Sequence, residues 1–229
     1  MGDYMKRKTR IMAMMIIVGV CCGIMAAVDG IWMPHYGVKS AIKMMLFLAI
    51  PLLYSLADQE LQIKELFKIN KRGLKTALFL CIPLYILILG AYLLLKDVFD
   101  FSGITASLTG NIGVDRDNFV AVALYISFVN SLLEEFFFRG FAFFGLKKAA
   151  SDKVAYLFSA AAFALYHVAM MTGWFSIGVF LLTLVGLFAG GLIFHYLNAK
   201  SENIYTSWFV HMFANFAINT IGFMLFGII

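Results

Sequence analysis

Two adjacent glutamates inside an apolar run, Glu134 and Glu135, precede Arg139 in the stretch Asn130-Ser131-Leu132-Leu133-Glu134-Glu135-Phe136-Phe137-Phe138-Arg139-Gly140. An ionisable side chain within a membrane helix costs roughly 2.5–3.5 kcal/mol on the insertion scale, so each one needs a chemical reason. Glu135 and Arg139 are four residues apart, share one helical face and can pair. Glu134 points about 100° away around the helix and is left without that partner. One carboxylate is thereby anchored, and the other is free to exchange a proton with water, as a general base requires. The competing reading is a structural Glu–Arg clamp at a helix end surfacing among headgroups.

Two further polar sets lie on later apolar runs: His167, which ends Phe163-Ala164-Leu165-Tyr166-His167, and His211 with Asn215 in His211-Met212-Phe213-Ala214-Asn215. A single histidine on an apolar helix is ordinarily a hydrogen-bonded packing residue, and a His/Asn pair can simply bond neighbouring helices at about 1 kcal/mol. Depth argues for more. Glu134 lies about 16 residues before a turn near residue 150 and His167 about 16 after it, so an antiparallel hairpin sets both on the order of 20 Å from the inner helix ends. His211 and Asn215, counted from a loop near residue 201, lie about 15–20 Å deep and face one direction. Glu134 with His167 can hold and deprotonate a water, while His211 and Asn215 can donate to a developing oxyanion. Glu134, His167 and His211 also make a two-His, one-carboxylate set of the kind that holds a catalytic zinc. No Ser stands beside a His with an orienting carboxylate, and the HExxH pattern is absent.

These residues need elements to hold them. The 229 residues are 62% hydrophobic and 14% charged, with a mean hydropathy of +0.90. A soluble domain is about a quarter charged, so this chain lacks the polar surface to face water all round. Lipid admits only helices or closed barrels, and these apolar runs have the length of helices. The pattern predicts an all-α, polytopic bundle of seven spans at 11–33, 41–57, 74–95, 118–146, 153–171, 175–198 and 204–228. Residues 1–117 would supply three N-terminal spans and residues 118–229 a four-span core, together one membrane domain.

The net charge of +5 does not indicate nucleic acid, because the cations cluster beside the spans, where they orient the chain and meet lipid headgroups. With the N-terminus inside, every Lys and Arg except Lys39, Lys43, Lys96 and Arg116 falls on the inner side. This predicts an N-in, C-out plasma-membrane protein with a cytoplasmic N-terminus; the short loops suggest a bacterial one. The first span could instead be a cleaved leader. Residues 60–73 read either as a surface helix or as a solvated loop, and residues 98–117, with Gly103, Gly110 and Gly113, as an irregular outer loop. Cys21, Cys22 and Cys81 lack metal-ligand or disulfide spacing and read as lipid-facing residues or core fillers. His195 and His35 read as interfacial.

The ordered set Glu-Glu-x-x-x-Arg, Phe-x-x-x-His and His-x-x-x-Asn, on separate spans across about residues 118–220, resembles the CPBP family of CAAX proteases and bacteriocin-processing (Abi-type) membrane proteins, which includes the type II CAAX prenyl endopeptidases. Gly186, Gly190 and Gly191 are similar to that family's glycine-spaced helix. The resemblance implies an intramembrane endopeptidase in which Glu134 and His167 activate water and His211 and Asn215 stabilise the oxyanion. Glu135 and Arg139 would support the site. Its substrate would be a peptide or lipidated protein, such as a prenylated CAAX protein or a bacteriocin or signal-peptide precursor. The family is described as both metal- and glutamate-dependent. Asn is a poor zinc ligand and a good oxyanion donor, which favours a mechanism without a cofactor over a zinc held by Glu134, His167 and His211. Two other readings use the same residues: a non-catalytic immunity or scaffold protein, and a transporter with a Glu134–His167 proton relay. A transporter of the inverted-repeat kind would show two similar halves, whereas these polar residues are confined to the C-terminal half.

Overall fold

The computed structural model describes residues 2–58 and 60–229 and contains seven helices long and apolar enough to cross a membrane. They are α1 (Met5–Trp32), α2 (Tyr36–Ala57), α4 (Lys71–Leu95), α6 (Phe119–Ala149), α7 (Asp152–Met170), α8 (Ile177–Ser201) and α9 (Tyr205–Leu225). Two shorter helices, α3 (Ile63–Leu66) and α5 (Ser102–Ile112), join them. The predicted spans agree with these helices to within a few residues. Side-chain caps set two of the starts. The Asn70 carboxamide accepts from the amides of Arg72 and Gly73 and starts α4 three residues early, and the Ser151 hydroxyl accepts from Val154 to start α7.

The packing is uneven in a way that identifies the surrounding solvent. In α6, 44% of the span's most apolar stretch is buried within the molecule, against 6% in α4. Ile16, Leu53, Phe79, Leu94, Leu182 and Val185 all point outward. An apolar belt of this extent is stable only against lipid, and the protein is a multi-pass membrane protein. The main core lies between α1, α2, α6 and α7, where Met14, Val18, Cys21 and Met25 of α1 meet Phe47 of α2 and Phe137, Phe138 and Phe141 of α6. Cys21 is therefore a core filler, and Cys81 fills a second cluster between α4, α8 and α9. On the other side of α7, a Cβ on Gly191 would come within 3.2 Å of Ala160, so glycine there sets the close approach of α8. Gly186 and Gly190 face open space.

The segments expected on one side do meet at one end of the bundle. Arg7 donates to the carbonyl of Ala149, Arg10 pairs with Asp58 and Glu60, and Lys148 donates to the carbonyl of Glu60. The Leu66 carbonyl accepts from Ile204, and Asn70 donates to the carbonyl of Ser201. Residues 60–73 form neither a full surface helix nor a free loop: one helical turn is tied down by buried Leu61 and Leu66.

Three sequence expectations fail here. Residues 98–117 are not irregular, since 102–112 form α5. Asp100 accepts from the Ser102 amide at its start, and Gly113, at φ 68°, ends it in the left-handed conformation. Its internal glycines, Gly103 and Gly110, mimic breakers in the sequence. Lys39 and Lys43 do not reach the outer surface, because α2 begins at Tyr36 and carries both inward. His195 is fully buried rather than interfacial: its ring stacks on Phe143 at 4.5 Å, and Nε2 bonds the Ser159 hydroxyl at 3.0 Å. His35 is exposed at the start of α2, as expected.

Candidate active site

Glu134 sits at a change in helical winding. Residues 126–130 before it and 135–144 after it bond i→i+5, flanking one short α turn at Ser131–Glu134. Such widened turns recur at functional sites because they re-aim side chains and loosen the backbone ladder. Both carboxylates are buried, and α2, α7 and α9 supply partners beside those on α6 itself.

Glu135 is held from three directions. Arg139, one turn on, places Nη1 3.4 Å from Oε1. The Ser207 hydroxyl donates to Oε2, and His211 donates from Nδ1 to Oε1 at 2.8 Å. The Asn198 carboxamide donates to the Ser207 hydroxyl and accepts from the Ser207 backbone amide, which fixes that hydroxyl. Arg139 lies between two rings, its guanidinium carbon 4.0 Å from the centroid of Phe163 and 5.0 Å from that of Phe194. The i,i+4 pair expected from sequence is present. The bond from Glu135 to His211 was missed, because it joins two helices whose register no spacing rule supplies.

His211 thereby reaches both acids. With Nδ1 donating to Glu135, its Nε2 lies 3.7 Å from Glu134 Oε2. His167 is turned the same way: Nδ1 donates to the Phe163 carbonyl at 2.7 Å, and Nε2 lies 4.0 Å from the same Oε2. Depth counting predicted that Glu134 and His167 share a level, and they do. These gaps are too long for direct hydrogen bonds and suit a bridging water.

Glu134 is not without a partner, contrary to expectation. The Lys43 ammonium of α2 contacts its Oε1 at 2.5 Å, and Asn130 donates to the same oxygen at 3.1 Å. Sequence reading missed Lys43 by counting it, with Lys39, among the cations of the outer side. The signal was there: Lys39 and Lys43 are four apart, ahead of an apolar run that cannot continue on their face without burying them.

Asn215 is buried one turn beyond His211, and its Nδ2 donates to the Ile126 carbonyl at 3.2 Å. No hydrogen bond joins it to Glu134 or His167 among the described residues. One turn further, Asn219 donates to Ala123 and Ser127, both at 3.0 Å. Glu134, His167 and His211 converge. Yet among the described residues no group of three His, Cys, Asp or Glu side chains has the arrangement to hold a metal ion. The Lys43 ammonium on Glu134 Oε1 further crowds that set.

Residues 116–217 match the family model described as Type II CAAX prenyl endopeptidase Rce1-like. This is the family that the Glu-Glu-x-x-x-Arg, Phe-x-x-x-His and His-x-x-x-Asn motifs resemble, and the match runs from just before α6 into α9. The chain has no significant match among curated proteins or among solved structures.

Proposed function

We propose that this chain, which carries a type II CAAX prenyl endopeptidase Rce1-like domain over residues 116–217, is an intramembrane endopeptidase that cuts its substrate with a water activated by Glu134 and His167. The observation that carries the reading is the approach of Nε2 of His167 and Nε2 of His211 to one oxygen of Glu134, at 4.0 and 3.7 Å. Two imidazoles whose Nδ1 atoms are already committed as donors leave their Nε2 atoms for the reacting centre.

In this mechanism Glu134 Oε2 takes a proton from water, and the resulting hydroxide attacks the scissile carbonyl. Carbon–oxygen bond formation puts negative charge on the carbonyl oxygen. His211 donates to that oxygen from Nε2 when protonated, with Glu135 against its other nitrogen offsetting the charge. Asn215 commits one amide hydrogen to Ile126 and has a second to give. The carbon–nitrogen bond then breaks, and the leaving amine takes the proton held by Glu134. His167 orients the water. The role of Glu135 is thus wider than a clamp with Arg139: it orients His211 as a buried carboxylate orients a catalytic imidazole.

A mechanism without metal is supported by the counter-charge that Lys43 already supplies to Glu134. The substrate we favour is a membrane-associated, prenylated CAAX peptide, and the partners are that substrate and the surrounding lipid. The N-terminal and C-terminal spans would act as one membrane domain, with the basic end in the cytoplasm of a bacterial cell. Purified protein in lipid nanodiscs, offered farnesylated CAAX peptides and an unmodified peptide library, tests the reading. Cleavage by wild type that is absent in Glu134→Ala and His167→Ala and insensitive to a chelator is the expected result. Cleavage that survives Glu134→Ala would sink the catalytic assignment, and loss on chelation would replace the metal-free mechanism with the zinc one. A protein that binds the library without cutting it would favour the scaffold reading.

A further inference from the structure

Lys43 lies far outside the matched residues 116–217, on a helix that the family motifs do not include. Its ammonium nevertheless touches the central carboxylate. The two oxygens of Glu134 are treated differently. Oε1 receives Lys43 Nζ at 2.5 Å and Asn130 Nδ2 at 3.1 Å, and Lys43 also bridges to Asn130 Oδ1 at 2.5 Å. Oε2 receives no hydrogen bond among the described residues and faces the two imidazoles. A carboxylate with both oxygens free rotates about its last bond. With one oxygen fixed by a charge-assisted bond, the direction of the other is set.

The lysine is itself held. Its side chain is 4% exposed, and its ammonium lies 4.9 Å from the centroid of Tyr166 and 5.4 Å from that of Phe47. Phe47 stacks on Phe137 at 4.0 Å, which ties this part of α2 to the helix that carries Glu134. Burial alone does not distinguish Lys43. One turn earlier, Lys39 is also buried and pairs with Asp29 at 2.6 Å, but among the described residues no hydrogen bond or ion pair joins that pair to the two histidines or to Glu134. The two lysines therefore form a built-in comparison, one closed on its own acid and one turned to the reactive carboxylate.

Resting on the endopeptidase reading above, we infer that Lys43 is a positioning residue of the active site: it fixes Glu134 Oε1 so that Oε2 presents to His167, His211 and the reacting water. The N-terminal spans thus complete a site that the matched domain does not complete alone.

The test uses full-length protein in nanodiscs and compares Lys43→Met, Lys43→Arg and the double variant Asp29→Asn/Lys39→Met. Two readouts are taken: kcat and KM on a farnesylated peptide, and the extent of Glu134 labelling by dicyclohexylcarbodiimide, read by mass spectrometry with Glu134→Gln as blank. Labelling does not require turnover. Misplacing a catalytic group by about 1 Å can cost on the order of 100-fold, so Lys43→Met should lose about tenfold or more in kcat with KM nearly unchanged. Its Glu134 labelling should rise above wild type. Lys43→Arg, which keeps the charge, should recover most of both readouts, and the Asp29/Lys39 double variant should match wild type in both. Lys43→Met that keeps wild-type labelling overturns the inference, whether or not its activity falls, because a loss without labelling reflects general damage. If Lys43→Met is inert in both readouts while Glu134→Gln abolishes cleavage, only the role of Lys43 fails. If Glu134→Gln still cuts, the endopeptidase reading fails.

Discussion

Two buried ionic centres sit in the same bundle and do different things. Asp29 and Lys39 form a closed pair, 2.6 Å apart, and among the described residues neither Asp29 oxygen is joined to any further side chain. Around Glu134 and Glu135 the charges are instead linked to two imidazoles, a serine, an asparagine and a second lysine, and one carboxylate oxygen is left for chemistry. The difference teaches how to recognise a working acid in a membrane interior. Burial and pairing are common to both centres, so neither identifies it. An acid whose two oxygens have unequal surroundings, one saturated and one facing histidines, is the informative feature.

Substitutions can break this comparison, and their effects should fall in a definite order. His167→Ala should lower kcat most, by about 10²–10⁴-fold, the range for loss of general acid–base help, while thermal unfolding in detergent stays near wild type. Asn215→Ala should cost about 10²-fold through the lost oxyanion donor. Asn219→Ala, one turn away and bonded to Ala123 and Ser127, should leave kcat unchanged and cost about 1 kcal/mol of stability. If the two asparagine variants behave alike, the oxyanion role of Asn215 is wrong. At the closed centre, Asp29→Asn leaves Lys39 buried without a counter-charge. It should destabilise by about 3–5 kcal/mol yet keep the turnover of the folded fraction, as a melting curve and an active-fraction assay would show. Among the groups around the two glutamates, Ser207→Ala should cost least, a loss in kcat of about tenfold or less, because Arg139 and His211 still hold Glu135 when one bond of about 1 kcal/mol is removed.

Seven helices were readable from sequence because twenty-residue apolar runs leave lipid-facing chain few alternatives. The meeting of Glu134 with His167 was also readable, since equal distances from a tight turn place two residues at one depth whatever the helices' rotation. Rotation and register between helices were not. Spacing along α6 identified the Glu135–Arg139 pair, but no rule along one helix could connect Glu135 to His211 across 76 residues. The widened turns at 126–130 and 135–144 change the facing of side chains and leave no mark in hydropathy. Lys43 and His195 were misplaced for one shared reason. Charged or polar residues near the end of an apolar run look like interface residues, and only the packing of α2 and α8 shows them turned inward. Helix α5 was hidden by glycines that usually mark loops.

The central claim, that Glu134 activates water for peptide cleavage, is tested most directly by digesting a farnesylated CAAX peptide in ¹⁸O-water with wild type and Glu134→Gln and weighing the products. Wild type should place one solvent oxygen in each new C-terminal carboxylate, and Glu134→Gln, folded and melting near wild type, should make none. Labelled product formed by Glu134→Gln at the wild-type rate would contradict it.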